Sequence, residues 1–152
     1  MLIIAHRGNI GGADPAVENH PKQVDRCISG YTWNVEVDVW RDNGGRWWLG
    51  HDEPQYEVDI GWLYTRSNFL WIHCKNDDAL CFLQNNPMSS EFNYFWHESD
   101  DFTITSNGYV WAYPGKNVRK PCRAIAVMPE LTSNLSLSNF RGVCTDDPGR
   151  YV

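Results

Sequence analysis

The sequence has no C-x-x-C pair, no basic run and no apolar stretch long enough to span a bilayer, and each absence removes a class of function. Lysine and arginine number 13 against 19 aspartates and glutamates, for a formal charge of −6, and they occur mostly singly. A general nucleic-acid binder needs concentrated positive charge, so that class is excluded and any phosphate must be met by a local site. The five cysteines, Cys27, Cys74, Cys81, Cys122 and Cys144, are an awkward number for a disulfide framework. They read as reduced thiols, which places the protein in the cytoplasm. Met1-Leu2-Ile3-Ile4-Ala5 is far shorter than the apolar region of a secretory leader, and no integral membrane segment is expected.

What is present is material for one core. The 152 residues are 42% hydrophobic and include eight tryptophans, enough for a single domain over 1–152. The organising stretch is Val35-Glu36-Val37-Asp38-Val39. Side chains of a strand alternate between its faces, so Glu36 and Asp38 share one side and the valines the other. Two carboxylates that close are costly in an apolar strand unless a cation or basic groups compensate them.

Around this stretch the chain repeats one pattern, an apolar run that ends in polar chemistry. Leu2-Ile3-Ile4-Ala5 ends in His6-Arg7-Gly8, and after a Gly- and Asp-rich loop a helix is expected from Pro21 to Ser29, stopped by Gly30. Tyr31 to Val39 forms the second strand, and Asp42-Asn43-Gly44-Gly45 turns the chain back through Arg46–Leu49, so that Gly50-His51-Asp52 returns beside Glu36 and Asp38. Glu53 to Asn68 lacks periodicity and reads as loop, with at most a helical turn over Ile60–Tyr64. Phe69–Ile72 ends in His73-Cys74-Lys75-Asn76, and Asp77 or Asp78 caps a helix to Asn85. Further strands are expected at 92–96, 102–105, 109–113, 124–128 and 142–145.

Strands that carry polar residues at their carboxyl ends fit an α/β barrel whose site lies on that rim. A (β/α)₈ barrel usually takes roughly 250 residues. The expected fold is therefore a compressed (β/α) TIM-type barrel with only three or four helices, some connections being turns or extended loops, and with the closure of its sheet left open. A homo-oligomer could cover the face that missing helices leave bare.

His6-Arg7-Gly8, Glu18-Asn19, Glu36-Val37-Asp38-Val39, Gly50-His51-Asp52-Glu53-Pro54, Lys75 and Thr145-Asp146-Asp147-Pro148 occur in an order that resembles the glycerophosphodiester phosphodiesterase family, within the phosphatidylinositol-phospholipase-C-like barrels. The resemblance runs from end to end. It implies a divalent-metal phosphodiesterase, with His6 and His51 as the acid-base pair, Glu36 and Asp38 as metal ligands, and Arg7 and Lys75 on the substrate phosphate. Glu18 would support Arg7 or approach the metal, or would merely favour the start of the following helix. The family's usual metals, Mg or Ca, favour oxygen ligands, and its third acidic ligand is replaced here by His73. Imidazole admits Mn, Fe or Zn instead, or else the site is degraded.

Phosphodiester cleavage requires proton removal, proton delivery and charge neutralisation, and this set offers all three. In the family an adjacent substrate hydroxyl is thought to attack phosphorus. Singly, each residue has a plainer reading: a solvated strand face for Glu36 and Asp38, a strand end for His6, a turn for His51-Asp52. Of His97 and Glu98, at most one should face the pocket, since strand neighbours diverge. His20 reads as a loop residue, and Asp146 and Asp147 as turn residues that close the last strand. Trp111 could wall the alcohol side of a substrate. The expected function is hydrolysis of a glycerophosphodiester or related small phosphodiester. The alternatives are a noncatalytic phosphoester-binding or assembly module on a degraded barrel, and an enzyme of lipid headgroups.

Overall fold

The computed structural model describes residues 1–152 and is a mixed α/β fold built on one curled, ten-stranded sheet. The strands are β1 (Leu2–His6), β2 (Asn34–Arg41), β3 (Trp47–Leu49), β4 (Tyr56–Val58), β5 (Leu70–Cys74), β6 (Asn93–Phe95), β7 (Phe102–Ile104), β8 (Val110–Ala112), β9 (Ala124–Val127) and β10 (Gly142–Thr145). The α-helices are α1 (Pro21–Tyr31), α2 (Ile60–Arg66) and α3 (Asp77–Asn85), with short 3₁₀ turns elsewhere. None is long and apolar enough to cross a membrane.

The parallel pairings run β6-β5-β2-β1-β10-β9-β8. Two antiparallel additions flank them: β3 and β4 continue from the end of β2, and β7 folds back on β8. No ladder joins β6 to β7, so the barrel is incomplete. Its two edges instead meet through Ser106. That residue gives its backbone N–H to the Tyr94 carbonyl at 2.8 Å, accepts the Tyr94 N–H on its hydroxyl at 2.9 Å, and donates that hydroxyl to the Phe92 carbonyl at 3.1 Å.

Local chemistry moves several expected boundaries. Helix α1 continues past Gly30 to Tyr31 because Thr32, at φ 57°, closes it and gives its N–H to the Ile28 carbonyl. His20 is the cap of α1 and not merely loop: its Nδ1 accepts the Lys22 N–H, and its ring packs edge-on against Tyr56. The second strand therefore starts at Asn34 and not at Tyr31. The segment read as loop contains β4 and α2, the latter capped by the Asp59 carboxylate on the Trp62 N–H. For α3 the cap is Asn76, which accepts from the Ala79 N–H, while Asp77 and Asp78 occupy the first turn, where the helix dipole favours negative charge.

The period-2 pattern sorts the core into two layers. Val35, Val37 and Val39 of β2, with Leu70 and Ile72 of β5, pack outward against Val24 of α1, Leu63 of α2 and Leu83 of α3. Inside the curl, Ile4, Trp71, Phe95, Trp111, Ile125, Val127 and Cys144 form a second cluster. Each fully buried Leu or Val contributes about 1.5–3 kcal/mol. No α-helix covers β8, β9 and β10, where only short 3₁₀ turns and irregular segments pack. Ala112, Ala124, Ala126 and Val143 leave shallow ground there, and Val118, Leu135, Leu137 and Phe140 of the irregular connections fill it. That substitution of loop for helix is how so short a chain surrounds its sheet.

Candidate active site

Strand register brings the candidate residues together. His6 lies opposite Glu36 across the β1–β2 ladder, and Asp38 lies opposite His73 across β2–β5. Glu36 and Asp38 point into the curl and are 2% and 0% exposed. The valines between them supply the outer core, so the alternation inferred from sequence holds with both faces covered. After His6 the chain turns sharply: Arg7 adopts φ 52°, and its N–H donates to Glu36 Oε2 at 3.1 Å. Lys75 follows β5 and gives its N–H to the Val39 carbonyl, which leaves Nζ 3.7 Å from Asp38 Oδ1.

His51 returns as the hairpin arm requires. The Gly50 N–H bonds the Asp38 carbonyl at 3.1 Å, and the Gly50 carbonyl accepts from the Trp40 indole at 2.7 Å. Gly50 sits at φ 153°, where an added Cβ would lie 2.1 Å from the Glu53 carbonyl oxygen, so this turn needs glycine. His51 Nδ1 donates to Asp52 at 2.7 Å.

One cavity of about 380 Å³ is lined by His6, Arg7, Glu36, Asp38, His51, His73 and Lys75. Its other wall is more apolar, with Trp111, Tyr113, Pro114, Val127 and Met128. Both His97 and Glu98 also line it, contrary to the alternation argument, because β6 stops at Phe95 and strand geometry no longer applies. Glu18 takes the orienting role, with Oε2 accepting from Arg7 at 3.1 Å and Oε1 from Asn9. Another cavity, of about 410 Å³ beside Arg41 and α3, contains no histidine and no carboxylate pair.

Several participants were not singled out from sequence. Asp146 does more than close a turn: Oδ1 accepts from His6 Nδ1 at 2.8 Å and from Asn9 Nδ2 at 2.7 Å. Asn19, buried and at φ 59°, accepts the Asp38 N–H and donates to Asp38 Oδ2, both at 2.9 Å. The His97 carbonyl accepts from His73 Nε2 at 2.8 Å. Only the Glu18-Asn19 and Asp146-Asp147 motifs carried a sequence signal for any of these.

The electrostatics separate the two central acids. Burial, then the charge of Asp38, raises the Glu36 carboxyl above the usual range. Burial also opposes ionisation of Asp38, but the neighbouring His73 and Arg7 and the Asn19 hydrogen bond outweigh it and hold Asp38 well below the usual range. Burial works against charging His6, yet its bond to Asp146 and the nearby Glu36 leave its pKa raised. Asp146 is lowered despite its own burial, chiefly by His6. His97 is lowered by burial and by His73.

Glu36, Asp38 and His73 offer ligand atoms that all lie within 4.8 Å of one another. Asp38 Oδ1 is buried and has no hydrogen-bond partner. His73 Nδ1 stands 3.0 Å from it, outside hydrogen-bond alignment. Two carboxylates, one imidazole and an unsatisfied buried oxygen fit a divalent cation. No family model, curated protein or solved structure matches the chain.

Proposed function

We propose that the protein is a divalent-metal phosphodiester hydrolase, acting on a glycerophosphodiester or related small phosphodiester, on a reduced barrel of TIM type. The observation that supports this is the convergence of His6, His51, Arg7 and Lys75 with the Glu36-Asp38-His73 cluster around one cavity of small-ligand size. The resemblance of the ordered motifs to the glycerophosphodiester phosphodiesterases points the same way.

In this reading His6 is the general base. Its Nδ1–H is committed to Asp146, which leaves Nε2 to accept a proton. The attacking hydroxyl, from the substrate or water, loses its proton to Nε2 as its oxygen bonds phosphorus. The opposite P–O bond breaks, and protonated His51 returns a proton to the departing alkoxide. Arg7, held by Glu18, and Lys75 attract the phosphoryl oxygens. A cation held by Glu36, Asp38 and His73 would supply Lewis-acid neutralisation of the phosphoryl charge.

The test is release of alcohol from glycerophosphodiesters by the purified protein loaded in turn with Mg, Ca, Mn, Fe and Zn. His6→Ala and His51→Ala should each lower turnover about 10²- to 10⁴-fold. Full turnover in either variant refutes the assigned roles. Calorimetric binding of a phosphodiester without turnover under any metal would favour the noncatalytic binding module.

A further inference from the structure

We propose that the cation of this cleft is a divalent first-row metal ion of the Mn, Fe or Zn class, held through His73 Nδ1, with the His97 carbonyl acting as the device that fixes His73 in the ligating tautomer. The proposal rests on the functional reading above and deepens it by naming the ion.

The argument starts from the ring's far side. A carbonyl oxygen only accepts, so the 2.8 Å contact between His73 Nε2 and the His97 carbonyl places a proton on Nε2. In the neutral ring Nδ1 then carries the lone pair. That nitrogen faces two carboxylates, 3.0 Å from Asp38 Oδ1 and 3.8 Å from Glu36 Oε1. A lone pair set against carboxylate oxygens in a buried site is repulsive unless positive charge lies between them.

Three sources of that charge compete, apart from Arg7, whose Nε stands 3.3 Å from Asp38 Oδ2 and not from the oxygen that His73 faces. A second ring proton would make His73 a cation bonded to Asp38, but the approach is misaligned and Asp38 Oδ1 remains without a hydrogen bond. Lys75 Nζ, at 3.7 Å, is beyond hydrogen-bond reach of the same oxygen. A metal ion asks for something different: three donor atoms around a common point, which the cluster offers.

The ring is also held in place. It stacks on Phe95 with centroids 5.2 Å apart and planes within 4°, and the β2–β5 register fixes its backbone beside Asp38. Flipping the imidazole would surrender the carbonyl bond. A ligating histidine whose other N–H is given to a carbonyl is the usual support for a metal site, and it raises ligand basicity. Mg and Ca gain little from an imidazole, whereas Fe and Zn accept it readily and Mn, the hardest of the three, less so.

The test uses binding and spectroscopy of the whole protein, independent of turnover. Chelator-stripped protein is titrated by calorimetry with Zn, Mn, Mg and Ca, alongside His73→Asp. We expect one Zn per chain, and a ratio of Zn to Mg affinity that falls about tenfold or more in the variant. Wild-type protein loaded with cobalt as a paramagnetic probe should show one exchangeable, hyperfine-shifted imidazole N–H, belonging to Nε2 of His73. This measurement does not depend on the variant folding. Equal affinity for Zn and Mg in the wild type, an unchanged ratio in a folded variant, or absence of the shifted N–H would each overturn the proposal. Hydrolysis with Mg alone would overturn it and leave the phosphodiesterase reading intact. Selective Zn binding without hydrolysis would do the reverse.

Discussion

Replacing Asn19 by alanine should cost about 3–4 kcal/mol of folding free energy and loosen the acidic cluster at the same time. Asn19 is 1% exposed, and its amide grips Asp38 twice, at the backbone N–H and at Oδ2. The bond to the backbone is worth about 1 kcal/mol net, and the one to the ionised carboxylate about 2 kcal/mol. Both Asp38 groups are buried, so water does not replace the lost partner without opening the structure. Asn19 also sits at φ 59°, a conformation asparagine tolerates and alanine does not, which adds about 1 kcal/mol. Asn19→Gly isolates the terms, since it restores backbone freedom but neither hydrogen bond. It should therefore recover about 1 kcal/mol relative to alanine. Urea unfolding followed by the fluorescence of the eight tryptophans measures both variants. Metal titration of folded Asn19→Ala should show affinity about tenfold weaker, as for loss of an outer hydrogen-bond partner. A stability loss below about 1 kcal/mol at unchanged m-value would mean that Asn19 does not hold Asp38 as described.

Asp146→Asn keeps the shape behind His6 but removes the charge that raises its pKa. Turnover should fall about a hundredfold or more, and the acid limb of the pH–rate curve should move to lower pH, because a less basic His6 loses its proton earlier. Equal profiles would contradict the positioning role. Thiol reagents should label exposed Cys81 and Cys122 in the native protein, and Cys27, Cys74 and Cys144 only on unfolding. Burial raises the Cys27 thiol to about 11 and Cys74 to about 12, above their ordinary 9.0, so the folded state keeps protons that the unfolded state releases. Their contribution is intact below pH 9.0 and declines as pH climbs through the folded values; the urea midpoint at alkaline pH should be lower than at neutral pH. A non-hydrolysable phosphodiester analogue should bind measurably only when a divalent cation is supplied, which calorimetry with and without chelator would decide.

The parts of this fold that were legible in the sequence are those governed by a local rule. Alternation around Glu36 and Asp38 marked the face of β2, and the Asp42–Gly45 turn foretold that His51 would return beside it. Helix α2 was legible only as a helical turn over Ile60–Tyr64 within a loop, because it has seven residues and one buried apolar position, Leu63, too few to show a period. Non-local contacts were opaque for another reason. Asp146 lies 140 positions from the histidine it orients, and its acceptor role exists only because β10 and β1 are neighbours in the sheet. The His97 carbonyl carries no side-chain signature at all. Likewise, a serine in a turn gives no hint that it bridges two sheet edges, as Ser106 does. Alternation also failed at His97 and Glu98, because the strand they were assigned to ends before them.

The charge distribution ties the proposed cation to the proposed substrate. Glu18, Glu36, Asp38 and Asp146 lie in or behind the cleft, against the fixed positive charges of Arg7 and Lys75. Arg7 is engaged by Glu18 and stands 3.3 Å from Asp38, so its charge is largely answered before any ligand arrives. An anionic phosphodiester would thus approach a surface with more acid than base, and its oxygens would face those of Glu36 and Asp38. Burial and the charge of Asp38 push the Glu36 carboxyl toward its neutral form, which eases the repulsion within the pair but supplies no positive field. In the proposed reading a divalent cation would offset the acidic charge of Glu36 and Asp38 and leave Arg7 and Lys75 to face the phosphate. Each proposed ligand would then remove the electrostatic penalty of the other, so their affinities would rise together by the same factor.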